Sequence, residues 1–78
     1  MSEELKIPKE RIAVLIGEKG QIKRKIQKLT NTQIVVSSKE GDVSIEGEDN
    51  FKVFLTLNII KAIGRGFNPE VALKLLKE

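Results

Sequence analysis

The spacing of apolar positions along this chain changes several times, and each change marks an element. Leu5 to Ile7 is a short extended segment stopped by Pro8, which lacks an N–H and holds the residue before it extended. From Lys9 to Ile16, the residues Ile12, Leu15 and Ile16 fall at helical spacing, and Gly17 ends that helix. After Gly20 a second helical stripe of Ile22, Ile26 and Leu29 runs to Thr30-Asn31, with Lys23, Arg24, Gln27 and Lys28 on the opposite arc. Thr32 to Ser38 is rich in β-branched residues and alternates, with Ile34 and Val36 on one face and Val35 on the other. A turn at Lys39-Glu40-Gly41 leads into a second alternating strand, Asp42 to Glu46, and the two strands read as a hairpin. Asp49 or Asn50 caps a helix from Phe51 to Ile63 that is apolar around most of its circumference, as a helix buried on more than one side should be. Gly64-Arg65-Gly66 stops it, and Asn68-Pro69-Glu70 starts a final helix running to about Lys77.

The order is therefore β-α-turn-α-β-β-α-α. The simplest way to bury these stripes is an α+β sandwich of two layers: a three-stranded antiparallel sheet faced by three helices, plus a short C-terminal helix. At 78 residues the chain is one small domain, able to bury roughly 60 to 65% of its unfolded surface. We divide it into residues 1–66 and a C-terminal extension, residues 67–78, that packs on the domain or on a further unit.

Composition narrows the chemistry. The chain has no Cys and no His, which removes disulfides, thiolate zinc sites and the commonest general base, so we expect no enzyme, no metal and no cofactor. Its first residues, Met1-Ser2-Glu3-Glu4, are acidic and precede no apolar run long enough for a leader or a membrane span, which places the chain in the cytoplasm. The net charge is +3, but its distribution is more informative. Residues 9–28 carry seven basic and two acidic residues, whereas residues 40–49 carry five acidic and no basic ones. The acidic stretch reads more simply as a solvated hairpin and helix cap than as a Mg²⁺ site.

The positive segment contains Gly17-Glu18-Lys19-Gly20. Two glycines three apart between helices make a tight turn whose backbone a phosphate chain can approach closely. The spacing is not that of a P-loop, and a purely structural turn between packed helices is the competing reading. With the element order, this Gly-x-x-Gly turn resembles the type I K-homology (KH) RNA-binding domain, from about Leu5 to Ile63. The segment Ala62-Ile63-Gly64-Arg65-Gly66-Phe67-Asn68-Pro69-Glu70-Val71-Ala72-Leu73 resembles, more narrowly, the first KH unit of archaeal and eukaryotic proteins of small-subunit ribosomal RNA processing and ribosome assembly. Members of that family generally carry a second KH unit, and the chain is similar to an isolated N-terminal half.

The resemblance implies a module that grips about four nucleotides of single-stranded RNA, here ribosomal or precursor rRNA, with a second KH unit or ribosome-assembly proteins as further partners. It assigns Gly17, Glu18, Lys19 and Gly20 to the clamp, and Lys19, Lys23 and Arg24 to the salt-dependent attraction. Ile16 and Ile22, with Ile34 or Val35, are candidates for the groove floor, while Ile26 and Leu29 are assigned to the core. Arg65 is either an RNA contact or a C-terminal helix cap. Two positions depart from the family's pattern. Lys23 stands where an aliphatic residue is common, and Glu18 puts a carboxylate in the turn. Only three aromatic residues are present, so stacking readout is not expected. The alternative function is a protein-interaction unit with a degenerate groove, docking through its apolar C-terminal helix.

Overall fold

The computed structural model describes residues 1–76, and it has the expected two-layer α+β architecture. Strands β1 (Ser2–Lys6), β2 (Gln33–Ser37) and β3 (Asp42–Glu46) form an antiparallel sheet in the order β1-β3-β2, which leaves β1 and β2 as edges. Helices α1 (Lys9–Ile16), α2 (Gln21–Thr30) and α3 (Asn50–Gly64) cover one face. Ile34, Val43 and Ile45 project from the sheet into a core completed by Ile12, Leu15, Ile26, Val53, Ile59, Ile60 and Ile63. Asp49 caps α3 through its carboxylate, which accepts the N–H groups of Phe51 and Lys52. The last helix, α4 (Pro69–Ala72), is capped by Asn68 and tightens into a 3₁₀ turn over Leu73–Leu76; Lys77, where we expected it to end, lies outside the described residues.

Three expectations change. Strand β1 starts at Ser2 rather than Leu5, because the ladder to β3 pairs Ser2 with Glu46 and Glu3 with Ile45, supplying partners that local propensity does not reveal. Leu29 is 52% exposed, and the buried stripe of α2 runs instead from Ile26 to Thr30, one full turn on. The Thr30 hydroxyl is satisfied inside, donating to Ile26 O at 2.7 Å and lying 2.8 Å from the Thr32 hydroxyl. Finally, α3 is not enclosed along its whole length. Phe51 and Phe54 on its first turns face solvent.

Candidate nucleic-acid interface

The link between α1 and α2 is a single 3₁₀ turn, Glu18–Gly20, whose backbone is bent sharply. Gly17 has φ +76°, Lys19 φ +55° and Gly20 φ +75°, so three of the four turn residues lie in the left-handed half of conformational space. At Gly17 the requirement is absolute, since a Cβ would overlap Ile22 Cγ1 and sit 2.9 Å from the Ile22 backbone N. Gly20 is freer: the nearest atom to a Cβ there is the Arg24 guanidinium, 3.0 Å away on a flexible side chain. Lys19 holds its strained φ without the exemption glycine enjoys, and it is exposed at the tip. Gly17 N–H donates to Ala13 O, Gly20 N–H to Gly17 O and Gln21 N–H to Glu18 O, bonds in which the Glu18 and Lys19 amides take no part. No side chain caps the N-terminus of α2, and its first turn holds no acidic residue.

Beside the turn lies an apolar strip. Ile16 and Ile22 are half-buried and pack against the core margin. The α2 helix is tied to strand β2 by Gln27, whose Oε1 accepts the N–H of Ile34 at 2.8 Å. That bond fixes which way the edge strand faces. Because Ile34 turns its N–H away from β3, the Ile34–Ile45 pair is the non-hydrogen-bonded kind, and Val36, two residues on, likewise turns its backbone groups to the open edge. Glycine turn, apolar strip and open strand edge thus stand together at one side of the molecule. Such a surface offers dipoles to a phosphate chain, apolar area to bases, and backbone donors and acceptors to base edges.

The expected site residues divide accordingly. Ile16, Gly17, Glu18, Lys19, Gly20, Ile22, Lys23 and Arg24 are contiguous around the turn. Ile34 is 1% exposed and belongs to the core, so it offers no contact surface. Val35 is exposed, but on the sheet face opposite the helices, because successive strand residues point to opposite sides. Arg65 is not brought to the turn either. It lies with Lys6, Ile7 and Pro8 at the start of α1, whereas the glycine turn is at that helix's other end, about 12 Å away along an eight-residue helix. Arg65 is instead the C-cap residue of α3, the helix-cap alternative, its backbone N–H donating to Lys61 O at 3.0 Å and Ala62 O at 3.2 Å. Arg11 adds a side-chain cap from α1, donating through Nε to Ile63 O at 2.7 Å and through a terminal nitrogen to Phe67 O at 2.9 Å.

Residues 2–62 match the KH domain family. The chain belongs to that family. Its element order and sheet are those of the type I arrangement. A KH domain-containing protein of Methanocaldococcus jannaschii is 46% identical over 78 residues, which cover 95% of this chain and 34% of that protein. Dim2p from Pyrococcus horikoshii has a crystal structure that superposes with a TM-score of 0.96 at 50% identity, covering all of this chain and 49% of the other. A complex of a/eIF2alpha, aDim2p and rRNA from the same organism gives a TM-score of 0.94 at 51% identity, with 46% of that chain covered. The chain therefore spans about a third of its curated relative and about half of the matched crystallised chains.

Within this KH domain, Val36 shares the inward face of β2 with Ile34 and is only half-buried; it is not among the expected site residues, although the alternation of the strand is the signal that could have found it. Arg11 and Gln27 give no such signal. Their roles arise where two elements meet. Among the described residues, no helix is long and apolar enough to cross a membrane, and no group of three acidic side chains is placed to hold a metal ion.

Proposed function

We propose that this KH domain binds single-stranded RNA, ribosomal or precursor rRNA, as a non-catalytic module of small-subunit ribosome assembly. The observation that carries the reading is the strained Gly17–Gly20 turn, set against an uncapped, basic helix start and an apolar strip. The cost falls on Lys19, a non-glycine residue held at positive φ on an exposed tip, and such local strain supports a backbone positioned for a ligand. Lys19 and Arg24, both exposed, supply the salt-dependent attraction to phosphate; Glu18 opposes it weakly, since exposed charges are screened. The kinship with a Dim2p crystallised with rRNA supports the choice of ribosomal RNA.

Titration with short single-stranded RNA oligonucleotides at two salt concentrations tests this. We expect micromolar or weaker binding that Gly20→Asp abolishes, because the left-handed geometry tolerates Asp while the added carboxylate meets the phosphate. Binding insensitive to that change would refute the clamp.

A second contact rests on a separate observation. Ala72 and Leu73 pack α4 onto the domain, yet Phe67, Val71 and Leu75 stay exposed around an apolar surface depression of about 150 Å³. We assign this face, within residues 67–78, to protein contact with a second KH unit. If the module were instead only a protein-interaction unit, partner binding would survive replacement of Lys19, Lys23 and Arg24 by Ala and be lost on changes to Val71 and Leu75.

A further inference from the structure

We propose that Lys23 reads a base rather than a phosphate, and that it selects guanine over adenine. The inference rests on the RNA-binding reading above and goes further, to the identity of one nucleotide.

Of the seven basic residues between Lys9 and Lys28, five are exposed and only Arg11 and Lys23 are half-buried. Arg11 is accounted for by its bonds to Ile63 and Phe67. Lys23 makes no hydrogen bond or ion pair among the described residues, where the ion pair found is Lys6 with Asp42. A lysine whose stem is held against the helix surface and whose ammonium meets no protein acceptor is placed for a ligand acceptor.

Its position says which kind. Lys23 lies one helical turn before Gln27, on the same face of α2, and Gln27 is bonded to Ile34. The chain reverses between α2 and β2 through Asn31 and Thr32. Stepping back one turn on α2, about 5.4 Å, thus matches stepping forward two residues on β2, about 6.6 Å, and brings Lys23 level with Val36. Val36 turns its backbone groups to the open edge. A base lying on the apolar strip there meets the strand edge on one side and the lysine on the other.

Lysine only donates, so the base must present acceptors to it. Guanine offers O6 and N7 side by side; adenine keeps N7 but carries an amino donor in place of O6, which would oppose the ammonium. The exposed Lys19 and Arg24, at the turn, are left to the phosphates.

The 78-residue protein is titrated with octaadenylate and with the same octamer carrying one central guanosine, at two salt concentrations, as wild type, Lys23→Met and Lys23→Arg. We expect the wild type to bind the guanosine octamer about tenfold more tightly, near the lower part of the range for a specific base contact. Lys23→Met should reduce that preference to less than about twofold by weakening the guanosine octamer several-fold more than octaadenylate, with the salt slope unchanged, and Lys23→Arg should retain the preference. Circular dichroism confirms that each variant folds. Equal wild-type affinity for the two octamers overturns the base reading and leaves RNA binding standing. Equal weakening of both octamers in Lys23→Met, with the salt slope reduced by about 0.7, marks a phosphate contact and also overturns it. If neither octamer binds the wild type, the RNA-binding reading fails first and takes this one with it.

Discussion

The two glycines of the turn carry different burdens, although their spacing makes them look equivalent. Gly17 is held both by its φ of +76° and by Ile22, which occupies the space a side chain would need. Gly17→Ala should therefore destabilise the domain by roughly 2–4 kcal/mol, combining backbone strain with displacement of packed atoms, as read by urea unfolding. Gly20 sits near the left-handed helical region with only a flexible arginine beside it, and Asn adopts that region readily. Gly20→Asn should cost less than about 1 kcal/mol in the same measurement. The spacing of the glycines and the clustering of charge around them were legible in the sequence. Which glycine holds the fold was not, because the deciding atom belongs to a side chain five positions away.

Between elements, two long polar side chains do the joining. Arg11 fastens α1 to the end of α3 through carbonyls 52 and 56 residues away, and Gln27 fastens α2 to the open edge of β2. Arg11→Met should cost about 1–3 kcal/mol by unfolding, since it removes the charged donor shared by the Ile63 and Phe67 carbonyls and leaves Ile63 O with only backbone N–H donors such as Gly66, while Arg65→Ala should stay within about 0.5 kcal/mol. Gln27→Ala should expose the Ile34 amide, and native-state hydrogen exchange at Ile34 should quicken while exchange at the amides of β3 changes little. Element boundaries were easier to read than these ties. The span Lys9 to Ile16 followed from proline before it and glycine after it, and Asp42 to Glu46 from its alternation. Strand β1 was read too short because Ser2, Glu3 and Glu4 have no strand signal of their own; pairing with β3 makes them a strand.

At the scale of the molecule, charge is segregated. Basic residues gather on α1, the turn and α2, while acids gather from the hairpin turn to the α3 cap. With Lys19 and Arg24 as two phosphate contacts, raising salt from about 50 to about 200 mM should weaken RNA binding about sevenfold, at a slope of about −0.7 per contact on single strands. A flat salt response in a fluorescence titration would rule out phosphate as the main anchor. The sequence by itself determined the element order, the two-layer class and the basic glycine turn, because each is written in local spacing, in turn residues and in charge. Tertiary structure alone decided that Ile34 is enclosed, that Val35 and Arg65 stand away from the turn, and that Arg11 and Gln27 join the layers. Those outcomes depend on which residues distant in the chain come to lie opposite one another, and local spacing carries no record of that.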